Sequence, residues 1–191
     1  MENFKVFQRA GGILFQQGLI SAAAGNISIK KDKSIFITAS GSLLGDLQIS
    51  DIVEAPIEGT KISNNYSIYS KKPSIEIEVH KAIYRNTPHK AIVHAHPPTA
   101  IALSFNVDKI ELEDSEGRIY IPVIPVLAVN GGISSTEVAK RIPDLLNEYA
   151  VVLVKGHGAF AASDTLMKAC SLMSTLEFSS VILYRKKLFE S

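Results

Sequence analysis

Phe4, Phe7, Gly11, Leu14 and Phe15 recur at near-helical spacing, and Gly18 stands where a helix commonly closes in the left-handed conformation. The chain therefore opens on an amphipathic helix of about four turns. After it the apolar residues alternate instead. Ile27 and Ile29 alternate with Ser28 and Lys30, Lys31-Asp32-Lys33 reverses the chain, and Ile35-Phe36-Ile37 returns, which predicts a β-hairpin. A second hairpin is predicted from Ile52-Val53-Glu54-Ala55 through Glu58-Gly59-Thr60 to Lys61-Ile62. Ser74 is the expected N-cap of a helix running from Ile75 to Tyr84, where Ile75, Val79, Ala82 and Ile83 share a face and Pro88 sets the far limit.

The run Ala91-Ile92-Val93 is short, apolar and β-branched, as a buried strand should be, and Pro97-Pro98 forbids its continuation. A helix is expected from Thr99 to Phe105. Ile119 to Val126 reads as a strand that Pro122 and Pro125 confine to a sheet edge or a bulge. Thr136 to Tyr149 is helical, Val151-Val152-Leu153-Val154 is a second buried strand, and Thr165 to Lys187 closes the chain as a long helix. No repeat, low-complexity tract or linker interrupts this order, so residues 1–191 read as one α/β domain. Hairpins precede the single strands, which favours a mixed, largely antiparallel sheet covered by helices.

With 20 Lys and Arg against 19 Asp and Glu, the net charge of +1 lacks the basic footprint of a nucleic-acid or polybasic membrane binder. A small phosphorylated ligand remains compatible. The single cysteine, Cys170, excludes an intrachain disulfide framework and any C-x-x-C cluster, as suits a reducing compartment. There is no signal-peptide core near Ile13-Leu14-Phe15 and no uninterrupted run of ~18 apolar residues, so a soluble, cytoplasmic protein is expected. A chain of 191 residues can build its core without a metal staple, which makes any bound metal functional.

The chemistry concentrates in a few stretches. His94-Ala95-His96 ends the first buried strand, and alternation points both imidazoles to one face. Gly156-His157-Gly158 follows the second buried strand, its glycines free to bring backbone close to a ligand. Three imidazoles suit a catalytic zinc with one position open. Glu76 and His80 lie four apart on the predicted helix, but Glu78 is nearby and spacing does not choose between the two carboxylates. Gly25-Asn26-Ile27-Ser28 and Thr38-Ala39-Ser40-Gly41 flank the first hairpin at one end, where amides and hydroxyls can converge on a phosphate.

Taken in chain order with Pro73-Ser74-Ile75-Glu76, these motifs resemble the class II aldolase and adducin head family across almost the whole chain, and most strongly its fuculose-phosphate aldolases. The resemblance implies a three-layer α/β/α fold with a central mixed, mainly antiparallel sheet. It implies zinc, or another divalent metal, on His94, His96 and His157, with Glu76 as a further ligand and as the catalytic residue. Phosphate binding maps to Gly25, Asn26, Ser40, Gly41 and Ser74, and His80 stands behind the glutamate without touching the metal. The implied reaction cleaves a ketose 1-phosphate, of the L-fuculose 1-phosphate or deoxypentulose phosphate kind, to dihydroxyacetone phosphate and an aldehyde. A homotetramer with active sites near subunit boundaries is implied too.

The same scaffold carries methylthioribulose-1-phosphate dehydratases and ribulose-phosphate 4-epimerases, for which Asp114 and Glu116 are the nearest acidic candidates, and non-catalytic adducin-like heads. Two departures bear on chemistry. Ile75 stands where the fuculose-phosphate aldolases carry a second serine, and the C-terminal tyrosine tail of longer members has no counterpart after Tyr184-Arg185-Lys186-Lys187.

Overall fold

The computed structural model of the chain describes residues 2–59, 71–129 and 136–190. Helix α1 (Glu2–Gln16) buries Phe7, Ala10 and Leu14 and ends ahead of Gly18, whose φ of 68° suits the closing position. Strands β1 (Asn26–Lys31) and β2 (Ser34–Thr38) form the expected hairpin, with Lys31 opposite Ser34. Next come β3 (Ile52–Pro56), α2 (Ile77–Asn86), β4 (Ala91–Ala95), α3 (Pro98–Ser104) and β5 (Lys109–Glu111). The remainder is α4 (Ser115–Tyr120), β6 (Val123–Leu127), α5 (Thr136–Glu148), β7 (Val151–Val154), β8 (Gly158–Ser163) and α6 (Leu166–Glu190).

The eight strands make one mixed sheet in the order β3-β2-β1-β4-β8-β7-β6-β5, antiparallel throughout except for β6 beside β7. Successive strand residues enter opposite cores, because side chains alternate across a sheet. Val93 and Leu153 pack with Phe7, Leu14, Met173 and Leu176 on one face, whereas Ile92 and Val152 pack with Val79, Ile83, Ile142 and Leu146 on the other. Helices on both faces give three layers. On length and composition alone α6 would cross a bilayer, but Leu166, Ala169, Met173, Leu176 and Leu183 are buried inside the fold, where the helix packs against β8, β4, α1 and α3.

Ile52–Pro56 pairs with β2 to extend a meander, and the return of the predicted second hairpin at residues 61–62 lies outside the described residues. Other expectations need correction. Helix α2 starts at Ile77, two residues late, because the Ser74 carbonyl and hydroxyl accept from the Ile77 and Glu76 amides in a turn that precedes it. Ile75 is accordingly 66% exposed rather than on the core face. Ile119 and Tyr120 end α4, and the strand begins only at Val123. That strand lies one in from the edge, with β5 outside it. Pro125 is tolerated there because the registered pairing with β7 involves only Val126 and Leu127.

The sheet order builds the site. β4 and β7 are each antiparallel to β8, so they run parallel and deliver their carboxyl ends to the same rim. The start of β1 reaches that rim because Asn26 pairs with His94, and the end of β2 does so because β2 is antiparallel to β1. A bridge from Ala39 to Pro73 then brings residues 74–76 alongside.

Candidate active site

His94, the fourth residue of β4, is fully buried, and its ring stacks on Phe160 at 4.1 Å between centroids. Its Nδ1 lies 3.0 Å from the Ala159 carbonyl, which can only accept, so Nδ1 carries the proton and Nε2 a lone pair. That lone pair faces His96 Nε2 at 3.1 Å and His157 Nε2 at 3.2 Å. His96 is fixed by its amide, which donates to the Leu19 carbonyl, and His157 by its amide to Val154. The three ligand atoms lie within 4.8 Å of one another.

Glycine is obligatory around these rings. A Cβ on Gly158 would meet His96 Cδ2 at 2.5 Å and the Ala95 carbonyl at 2.7 Å. Gly156 adopts φ of 68°, and its amide donates to Ser104 Oγ at 2.9 Å, tying the histidine turn to the end of α3. At the opposite end of α3, the Glu177 carboxylate accepts from the Thr99 and Ala100 amides, just beyond His96.

The buried carboxylate at the rim is Glu76. Its Oε2 accepts from Asn26 Nδ2 at 2.6 Å and lies 3.2 Å from His94 Nε2, while Oε1 lies 3.7 Å from His157 Nε2 and has no hydrogen-bond donor. Glu78 turns away, 64% exposed, to pair with Lys81. An inward-facing lone pair, two more imidazoles and an under-satisfied carboxylate oxygen form a donor set that fits one divalent cation. Burial lowers the pKa of His94 to about 3, and burial lowers that of His96, so both rings are neutral near pH 7 as ligands must be. Burial pushes the Glu76 carboxyl up, but His94, His157, Asn26 and His80 together outweigh it and hold the group ionised.

His80 lies behind this set, fully buried, with burial lowering its pKa to about 4. Because the folded value is depressed below 6.5, the unfolded chain takes up the proton first, and metal-free protein is expected to lose stability as pH falls from 6.5 towards 4. The His80 contribution is on the order of 3 kcal/mol over that window. Urea melts of chelated protein at pH 7 and pH 4.5 check this, and a flat profile would contradict a neutral His80.

The two turn stretches do converge. With Ser74, Ile75 and Glu76 they line a cleft of about 180 Å³ whose inner wall is His96 and His157. Gly25 needs its φ of 77° and its missing side chain, since a Cβ would stand 2.9 Å from the His94 carbonyl, and Gly41 turns at φ of 74°. Not every expected donor is available for a ligand. The Ser40 amide is committed to the Lys72 carbonyl and the Asn26 side-chain amide to Glu76, whereas Ser74 Oγ faces the Glu76 amide at 3.3 Å. No lysine or arginine lines the cleft among the described residues.

Sequence reasoning missed Ala23, Ala24 and Ser42 as lining residues, since small turn residues carry no chemical signal. It also missed that Ser28 turns from the cleft to His80 and Tyr84, for which the four-residue spacing of His80 and Tyr84 was the available clue. Asp114 and Glu116 are not at this site. Asp114 caps α4, and Glu116 lines a separate groove with Tyr120 and Lys168.

Residues 6–184 match the family described as Class II Aldolase and Adducin N-terminal domain, and the chain belongs to that family. Membership implies an enzyme of the aldolase type. Among its relatives, L-fuculose phosphate aldolase of Methanococcus vannielii is 31% identical over 176 residues, 92% of each chain. The 3-oxo-tetronate 4-phosphate decarboxylase of Pectobacterium atrosepticum is 29% identical over 187 residues, covering 92% of this chain and 81% of its own. The crystal structure of l-fuculose-1-phosphate aldolase from Thermus thermophilus superposes with a TM-score of 0.90 at 38% identity, covering 97% of this chain and 94% of its own.

Proposed function

We propose that residues 1–191 form a single metal-dependent class II aldolase domain that cleaves a ketose 1-phosphate, of the L-fuculose 1-phosphate or deoxypentulose phosphate kind, to dihydroxyacetone phosphate and an aldehyde. The observation that carries this proposal is the meeting of His94, His96, His157 and Glu76, the last three on the wall of a small cleft that glycine, serine and asparagine also line. The three histidines would hold the metal, zinc being the first candidate for a nitrogen-rich set, with Glu76 as a further ligand before substrate arrives. When bound, the metal supplies Lewis-acid polarisation of the substrate carbonyl.

Cleavage breaks the C3–C4 bond, leaving its electron pair on C3 as the enediolate of dihydroxyacetone phosphate, while the C4 hydroxyl gives up its proton to solvent and C4 becomes the aldehyde. Glu76 handles the proton at C3, held ionised and aimed by Asn26. The cleft at Gly25, Asn26, Ser40, Gly41 and Ser74 takes the phosphate, whose binding energy orients the reacting carbons. Assembly as a homotetramer belongs to the same proposal and is checked by sedimentation.

The decarboxylase relative favours a second reading. A 3-oxo-tetronate 4-phosphate loses carbon dioxide from the carbon beside its ketone and leaves the same enediolate, so the two reactions share every step except the departing electrophile. Incubation of metal-loaded protein with dihydroxyacetone phosphate in D2O, followed by NMR, tests the shared half. Exchange of one carbon-bound hydroxymethyl proton is expected, and its absence would overturn both readings in favour of dehydratase, epimerase or adducin-like roles. Release of aldehyde from L-fuculose 1-phosphate, against carbon dioxide from 3-oxo-tetronate 4-phosphate, then separates them.

Ile75→Ser is expected to lower KM for a phosphorylated substrate roughly 2- to 12-fold, the equivalent of about 0.5 to 1.5 kcal/mol for one net hydrogen bond, with kcat unchanged. The exposed side chain at the cleft makes the change free of core cost. A KM that stays level for dihydroxyacetone phosphate in the exchange assay would remove position 75 from the phosphate site.

A further inference from the structure

Alternate residues of β1 bond to every fourth residue at the start and along the length of α2. Asn26 Nδ2 donates to Glu76 at 2.6 Å, Ser28 Oγ meets His80 Nδ1 at 2.7 Å and Tyr84 OH at 2.8 Å, and Lys30 Nζ donates to the Tyr84 carbonyl at 2.8 Å. The match has a simple geometric cause. Two strand residues advance ~6.6 Å and four helical residues ~6.0 Å, so a strand and a helix packed side by side stay in register over a few rungs. The Asn26, His80 and Tyr84 hydroxyl contacts are buried, where an unmade hydrogen bond is costly, and the Lys30 contact is part-buried.

The middle rung has a direction. Ser28 has one hydroxyl proton and two partners, so the proton order runs either from Tyr84 to His80 or the reverse. Tyr84 is fully buried and its hydroxyl lies 2.8 Å from Ser28 Oγ, which can accept the phenol proton; were Ser28 to donate instead, that proton would need another buried acceptor. Ser28 then donates to His80 Nδ1, and the His80 proton resides on Nε2, a buried atom with no hydrogen-bond partner of its own. The electrostatic partner of that ring is Glu76, whose Oε1 is likewise short of a donor. The reverse order would put a lone pair on Nε2 in the field of a carboxylate.

We propose that Ser28, His80 and Tyr84 are positioning residues for Glu76: the Tyr84–Ser28–His80 chain locks His80 as its Nε2–H tautomer, and the ladder fixes the turn that aims the Glu76 carboxylate at the three histidines. This rests on Glu76 handling the carbon-bound proton, as proposed above. Partners of this kind typically contribute roughly 10- to 100-fold in activity.

The test uses full-length, metal-loaded protein labelled with 15N-histidine. Imidazole 15N–1H correlations should show His80 as Nε2–H in wild type, and Ser28→Ala should shift it towards Nδ1–H or an exchanging mixture. Exchange of the dihydroxyacetone phosphate proton should fall roughly 10- to 100-fold in Ser28→Ala with KM near wild type. Ser28→Thr should rescue both readouts, and Tyr84→Phe, which keeps the ring in place, should slow exchange by less. An unchanged His80 tautomer in Ser28→Ala overturns the inference, as does an altered tautomer with wild-type exchange. Wild-type exchange by Glu76→Gln overturns the role of Glu76 itself, and the positioning role with it, while leaving the tautomer result legible on its own.

Discussion

Glu76→Gln is expected to keep its metal and to lose roughly 10²- to 10⁴-fold in proton exchange, the usual scale for a general acid/base group. The amide has nearly the shape of the carboxyl, so Asn26 retains an acceptor and the three imidazoles stay where β4 and β7 place them. What disappears is basicity at neutral pH. Glu78→Gln is the matched control, since that side chain is exposed and pairs with Lys81, and its exchange rate should stay at wild type. Metal content by mass spectrometry and exchange by NMR measure the two effects separately. An inactive Glu78→Gln beside an active Glu76→Gln would show that the wrong carboxylate has been identified.

His96→Ala is expected to abolish metal retention and all activity while leaving the metal-free fold close to wild type. The two cores are built from apolar side chains on either face of the sheet, and His96 is not among them. His94→Ala should behave differently. That ring is fully buried against Phe160, so its removal opens a cavity and adds about 2 to 5 kcal/mol of destabilisation to the loss of metal. Metal analysis and thermal melts of chelated samples distinguish these outcomes. Full metal occupancy in His96→Ala would remove it from the ligand set, and equal melting temperatures for the two variants would deny the His94 ring its packing role.

The buried strands at Ala91–Ala95 and Val151–Val154 were legible because Ile and Val fit a surface covered on both faces, and the histidines at their ends were legible with them. β8 was not. Apart from Phe160 its sequence is glycine, alanine and serine, whose small side chains let α6 approach but carry no strand signal. α4 was hidden by Gly117 within it, a glycine the structure needs because a Cβ would stand 2.6 Å from Leu112 Cβ. The choice of Glu76 over Glu78 came from family resemblance rather than spacing. A helical wheel was the wrong instrument there, since Glu76 precedes the first turn of α2 and its direction is set by the Ser74 turn.

The place of β8 between β4 and β7 has a consequence for how the protein is made. β4 and β7 are separated by more than fifty residues in sequence and have no direct pairing in the sheet, so they meet only when Gly158–Ser163 has been inserted between them. A nascent chain that has emerged only to His157 carries every histidine of the cluster but lacks the strand that aligns them. Contacts of such long sequence separation form late, after the loop between them has closed. Ordering of the three-histidine cluster therefore waits on the insertion of β8 between β4 and β7.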